Sequence, residues 1–278
     1  MMRTALAILV TSMLAAGGAF AAQQSIGRVG CPKCVNDGSE VSNLLQQADS
    51  LYAAFKTREA LQALSRALQL DPDNFEATAK SARGYIDIGD MIPESEPDAR
   101  EKKLKEYRTA EEYARKAEKL DPQSTWGHMY VAASMGKIAS QSPVAKQIDL
   151  SHEIRAEAEK SLELDPQNGF AYHILGIWHR KMAEVGGTQR MLASTFLWRS
   201  IPKGDLNASV DCFKKAVALN PTVIAHHLEL GKTYITLGKY DLARASLKSS
   251  LAQPIQFIDD SNHKKEAEKL LKEISDRS

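Results

Sequence analysis

Four stretches of this chain end in the same way: Ala67-Leu68-Gln69-Leu70-Asp71-Pro72, Ala117-Glu118-Lys119-Leu120-Asp121-Pro122, Ser161-Leu162-Glu163-Leu164-Asp165-Pro166 and Ala216-Val217-Ala218-Leu219-Asn220-Pro221. In each, a small residue stands five positions before the proline and a leucine two before it. Upstream, Ala60, Leu64 and Ala67, and again Ser209, Phe213 and Ala216, recur at the i, i+4, i+7 spacing of one helix face. Proline cannot continue that helix, and the Asp or Asn before it favours a turn. A second helical pattern follows every proline, with small residues where two helices must approach closely: Ala82 before Tyr85, Ala132 before Met135, Gly176 before His179, Gly231 before Tyr234. One such helix pair cannot bury its apolar face alone, so several of them must stack. The pattern predicts an all-α chain.

The last unit is the clearest: Leu230-Gly231-Lys232-Thr233-Tyr234 and Leu237-Gly238-Lys239-Tyr240, then Ala243 and Leu247. It resembles the tetratricopeptide repeat, a helix-turn-helix unit whose small and large residues interlock. The expected fold is a right-handed α-solenoid over residues 41–278. Five irregular tetratricopeptide-like helix pairs would span residues 41–252, and a C-terminal capping helix would run from His263 to Ile274. Asp260 or Ser261 is the expected cap of that last helix, and Leu270-Leu271 its inward face. The four prolines lie 50, 44 and 55 residues apart, against about 34 for a plain array. The excess falls around Asp90 to Arg100, Ala139 to Leu150 and Gly186 to Leu206, where it either extends helices or builds a binding feature. Within the third, Met191-Leu192-Ala193-Ser194-Thr195-Phe196-Leu197-Trp198 is too apolar for an ordinary exposed loop and is expected to cover or line a groove.

A narrower resemblance rests on Ile174-Leu175-Gly176-Ile177-Trp178, the inserted Gln189-Arg190-Met191-Leu192-Ala193, the helix around Phe213-Lys214-Lys215-Ala216, and Leu230-Gly231-Lys232-Thr233-Tyr234. Over residues 100–275 the chain is similar to the regulator of microtubule dynamics family. That resemblance implies an irregular helical-repeat domain that binds partners and is not known for turnover chemistry; eukaryotic members face the cytosol, often at membranes.

The N-terminus reads separately. Met1-Met2-Arg3 supplies a positive start, Thr4 to Ala16 is uncharged and mostly apolar, and Ala19-Phe20-Ala21 fits a small-x-small cleavage pattern. The expectation is a signal peptide over residues 1–21 and an exported protein, periplasmic if its source is a Gram-negative bacterium. Membrane association would come only from an uncleaved signal anchor or through a partner. Residues 22–40 are expected to form a flexible segment carrying Cys31 and Cys34 in Gly30-Cys31-Pro32-Lys33-Cys34. No His follows Cys34, which excludes covalent haem attachment, and no second Cys pair completes a four-cysteine zinc site. Gly, Pro, Asn and Asp surround the pair, unlike the strand-then-helix setting of a thioredoxin-like motif. A disulfide between Cys31 and Cys34 suits an oxidising compartment; a thiol-redox factor is the remote alternative. Cys212 stands alone on a helix as a small apolar residue.

Thirty-six basic residues against thirty-five acidic ones leave no basic excess for a nucleic-acid partner. Gly231-Lys232-Thr233 lacks the upstream glycine of a phosphate loop, because His226 stands there. His226 and His227 point to different sides of a helix, and His173 and His179 miss the i, i+4 spacing of a metal pair. Glu111-Glu112 and Asp259-Asp260 read as solvated faces or helix starts, and Asn207 reads as a helix cap. No catalytic residue, metal site or cofactor is expected, and the chain reads as non-enzymatic.

Helical spacing does suggest a binding face. If the first helix of each unit lines the concave side, one stripe carries Arg83, Trp126, Met129, Lys137, Phe170, His173, Arg180, Lys181 and Lys232, with Phe196 and Trp198 added by the insert. Two readings follow: a packed interior with basic residues at its rim, or a groove for an extended ligand with a negative end. The second makes the chain a scaffold or adaptor for a protein or peptide partner with an acidic end. Its alternative is a carrier of an anionic lipid or amphiphile. On the groove reading, replacing Arg180 and Lys181 by Glu weakens binding through charge, with folding little changed if both face solvent.

Overall fold

A computed structural model describes residues 35–196 and 200–277. Among them are twelve helices: five pairs, one short helix in the third insertion and a cap. The pairs are α1 (Val35–Ala53) with α2 (Thr57–Leu70), α3 (Phe75–Asp90) with α4 (Ala99–Leu120), α5 (Thr125–Ser140) with α6 (Val144–Leu164), α7 (Gly169–Glu184) with α9 (Leu206–Leu219), and α10 (Ile224–Thr236) with α11 (Tyr240–Ala252). α8 (Gly187–Phe196) lies in the third insertion, and α12 (Asp260–Glu273) closes the array. Residues 1–34, with the expected signal peptide and both Cys31 and Cys34, lie outside the described residues, as does Trp198. α1 begins at Val35, so the part of the N-terminal segment from 35 to 40 is helical.

The repeated Asp/Asn-Pro ends work identically. The amides of Asp71, Asp121, Asp165 and Asn220 donate to the carbonyls of Ala67, Ala117, Ser161 and Ala216, the small residues of the motif. The carbonyls of those Asp and Asn residues then accept from Asn74, Ser124, Asn168 and Val223, which makes the tight turn into the next helix. The small residues are fully buried because the next helix crosses over them. Ser161 meets that burial by bonding Thr125 Oγ1 at 2.7 Å. Glycine has the same meaning in helices α7 and α10. A Cβ at Gly176 would sit 2.8 Å from the Phe213 ring, and one at Gly231 2.9 Å from Leu247.

Much of the extra length goes into the second helices, since α4 and α6 have 22 and 21 residues against 14 in α2. Around Ala139 to Leu150 no loop stands out, only the turn 141–143 ahead of α6. In the third insertion, Arg190 ties both ends together by donating to Val185 O at 3.1 Å and Ile201 O at 2.8 Å. Two caps differ from expectation. Asp205, not Asn207, caps α9 by accepting from the amides of Asn207 and Ala208. Asp260 is already inside α12, and its carboxylate turns back to the preceding segment.

The inner helices touch in series, α3 to α5, α5 to α7, α7 to α10 and α10 to α12. Every residue of α5 from Gly127 to Ala139 is buried. A helix lining an open groove would keep one face in water; this one does not.

Candidate binding groove

What covers the inner helices is the segment between α11 and α12. Gln253 caps α11, and residues 253–259 form the strap that links it to α12, with Pro254, Ile255 and Gln256 exposed and Phe257 turned onto the inner helices. Asp260 Oδ2 sets its path by accepting from the amides of Gln256 and Phe257 at 2.7 and 2.8 Å. Phe257 is thereby buried to 8% exposure. Its ring meets Phe170 of α7 edge-on at 6.3 Å, and the Arg83 guanidinium of α3 stands 5.8 Å from its centroid. Arg83 also stacks over Tyr52 at 4.6 Å. Phe170 continues the aromatic row to Trp126 at 6.3 Å and His226 at 5.3 Å. Met129 is wholly buried beneath it.

The basic stripe is equally engaged. Lys137 donates to both oxygens of Asp90 at 2.7 and 2.6 Å, and Tyr107 donates to the same carboxylate at 2.8 Å. Arg180 donates to Glu229 and lies 3.6 Å from Glu184. Lys232 bridges Glu229 and Glu266 at 2.9 Å each. Arg83 faces Asp87 at 3.7 Å, and Lys181 faces Glu184 at 3.8 Å. Charges taken out of water must be paired, and here each of these five cations meets a carboxylate of its own chain. The solvent-facing Arg180 and Lys181 assumed for the charge reversal are therefore corrected: Arg180 is buried and Lys181 mostly so.

Burial works against the Glu229 carboxylate, but Lys232 and Arg180 outweigh it and hold the group well below its ordinary range. Asp87 and Asp90 behave oppositely. Burial pushes them up to about 7 and about 6, against the opposing pull of Arg83 and Lys137. His173 and His226 meet through their Nδ1 atoms at 2.9 Å, and both are fully buried. Burial keeps the pair neutral, with His173 pushed down to about 3. Burial also lifts the Cys212 thiol to about 11, which removes thiolate character near neutrality.

Over residues 44–275 the sequence matches the family model described as Regulator of microtubule dynamics protein 1-3. The chain belongs to this family. Regulator of microtubule dynamics protein 1 of Bos taurus is 28% identical over 240 residues, covering 86% of this chain and 74% of the relative. The mouse (Mus musculus) protein 3 is 26% identical over 235 residues, covering 83% of this chain and 48% of the relative. Among solved structures, a thermophilic TPR protein of Thermus thermophilus superposes with a TM-score of 0.56 at 17% identity, covering 82% of this chain and 98% of that one. The pilF protein of Pseudomonas aeruginosa gives 0.51 at 15% identity, covering 87% and 95%. These likenesses show the tetratricopeptide solenoid.

In this member of the regulator of microtubule dynamics family, the helix-borne stripe residues lie on α3, α5, α7 and α10, the helices that touch in series. Phe196 ends α8, with its side chain outside the described residues. Spacing missed three things. The His173–His226 contact joins α7 to α10 across 53 residues, so local spacing cannot reveal it. Asp259 and Asp260, read as a solvated helix start, are largely buried, at 12% and 1% side-chain exposure. Phe257 was not singled out, although an aromatic after Pro254 between two helices was a visible signal.

Proposed function

We propose that this protein is a non-enzymatic protein-binding scaffold whose concave groove takes a segment with an aromatic residue followed by acidic ones. One observation carries the reading: the inner helices already hold such residues, Phe257-Ile258-Asp259-Asp260 at the turn from the strap into α12, with Phe257 between Arg83 and Phe170. The strap is thus an internal stand-in for a partner, and a partner gains access by displacing it. Tetratricopeptide neighbours and family membership support partner binding, and the leader-like residues 1–21 support an exported adaptor. Less supports the lipid carrier. The partly open apolar cavity lined by Ile148, Ile154, Trp178 and Met182 measures about 50 Å³, below the roughly 150 Å³ cavity that admits benzene.

The test is a labelled peptide with the sequence of residues 253–261, titrated into the full chain and into the Phe257→Ala variant by fluorescence anisotropy. Removing the internal phenyl group frees its seat, so the variant is expected to bind the peptide at least tenfold more tightly than the parent. A Phe257→Ala protein with native helicity and no gain in peptide affinity would sink the proposal.

A further inference from the structure

A triad at the start of α12 has a chemistry that the packing does not use. Asp259 and Asp260 stand four and three residues before His263, and one donor atom from each lies within 4.8 Å of the other two. Asp260 Oδ1 and His263 Nδ1 are 3.6 Å apart, beyond a hydrogen bond, and Asp259 Oδ2 and His263 Nε2 are 3.4 Å apart. Asp259 Oδ1, Asp260 Oδ1 and His263 Nδ1 are buried without a hydrogen-bond partner in the protein. Buried polar atoms are nearly always satisfied, so three orphans in one triad point to a ligand.

A cation suits the surroundings: Asp87 and Asp90 of α3 add to the carboxyl groups around Asp259, with Arg83 and Lys137 as fixed counter-charges and His263 ion-paired to Asp259 and Asp260 when protonated. Glu229 also faces His263, but Arg180 and Lys232 already balance it. The other oxygen of Asp260 is held by the amides of Gln256 and Phe257, the kind of outer hydrogen bonding that orients a metal-binding carboxylate. A second triad, Glu118, His128 and Glu157, is a useful contrast. There both His128 nitrogens are engaged, by Glu157 at 2.7 Å and the Pro122 carbonyl at 3.2 Å.

We propose that Asp259, Asp260 and His263 bind a divalent transition-metal ion, Zn²⁺ by the chemistry of the donors, which fixes the turn from the strap into α12. Two carboxylate oxygens and one imidazole suit zinc, whereas calcium and magnesium take all-oxygen sets. Ligands at about 2.0–2.2 Å around a tetrahedral ion place donors about 3.4 Å apart, close to the 3.6 Å between Asp260 and His263. The site shares Asp259 and Asp260 with the segment that stands in for a partner, so a bound ion would oppose displacement of that segment.

The experiment uses the full chain carrying Cys31→Ser and Cys34→Ser, treated with chelator and titrated with Zn²⁺ by calorimetry. One ion per chain is expected, with a raised melting temperature. His263→Gln and Asp259→Asn should each weaken binding by about 100-fold or more, and His128→Gln should leave it unchanged. Co²⁺ added to the unsubstituted triad gives a readout that needs no folding-sensitive variant: amide signals of residues 256–264 should broaden first. No ion bound, binding indifferent to His263 and Asp259, or broadening centred elsewhere would each overturn the site and leave an ion pair only.

Discussion

Arg180 and Glu229 decide whether the inner stripe is an open binding surface or a closed interior. Their side chains are only 4% and 5% exposed, so the Arg180→Met variant leaves the Glu229 carboxylate buried with Lys232 as its remaining close cation. Breaking a buried pair costs about 3–5 kcal/mol, and the retained Lys232 contact puts this variant near the lower end. Glu229→Leu leaves Arg180 with Glu184 alone, at 3.6 Å and on a more exposed carboxylate, for a similar loss. The double variant removes both charges and fills the space with apolar groups, a replacement that is often neutral; Lys232 keeps Glu266. Its expected loss is therefore below about 2 kcal/mol, which implies a coupling energy of at least about 4 kcal/mol. Urea unfolding followed by circular dichroism measures all four corners of the cycle. At about 2–4 °C per kcal/mol, each single variant should also melt roughly 6–12 °C lower. A double-variant loss equal to the sum of the singles, within about 0.5 kcal/mol, would refute the buried-pair reasoning. So would an Arg180→Glu/Lys181→Glu protein of parental stability, because the two new carboxylates would crowd against Glu229 and Glu184.

Three further outcomes follow from the same packing. Asp87 is raised to about 7 by burial, with Asp90 and Asp259 adding to it and Arg83 and Lys137 opposing; the folded chain thus holds a proton that the unfolded chain releases near pH 4. Its contribution is full below about pH 4 and lost as pH rises through 7, so the stability gap between Asp87→Asn and the parent should widen from pH 4 to pH 8; a constant gap counts against it. His173, pushed down to about 3, works in the opposite direction: stability is lost as pH falls below about 6.5, and His173→Gln should flatten the acid limb of the urea-midpoint profile. Gly176→Ala should destabilise by about 1–3 kcal/mol, because the added methyl meets a fully buried Phe213 ring; Phe213→Leu in the same chain should recover part of that loss by melting curve.

Legibility tracks the distance over which each signal acts. Asp71-Pro72 and its three counterparts were readable because the turn, the small residue and the proline lie within six positions and act on one another directly. Gly176 and Gly231 were readable for a related reason, since a missing Cβ marks a close crossing whatever the partner. The charge pairs were not. Lys137 finds Asp90 across 47 residues and Arg180 finds Glu229 across 49, and neither separation leaves a periodic trace. Each cation alone therefore looks like a rim residue awaiting a ligand. The second-helix extensions in α4 and α6 were hidden similarly, because an amphipathic helix and a polar connection share much of their composition.

Closure of the groove was nonetheless implicit in α5. Between Thr125 and Ser140 it carries no acidic residue and a single basic one, Lys137. A helix lining open water needs a polar stripe, and one that is apolar on every side has to be buried on every side. The neighbouring helices cover only part of α5, so something must fill the concave side of the stack. Phe257 joins the same core as α3, α5 and α7 and so supplies part of that filling. Its removal would expose Phe170 and leave Arg83 without one of its two aromatic faces. On the proposed function, a partner entering the groove has to replace what Phe257 provides. Its apparent affinity is its intrinsic affinity reduced by the fraction of chains whose strap is displaced, so variants that loosen the strap should tighten partner binding with no change in the groove itself.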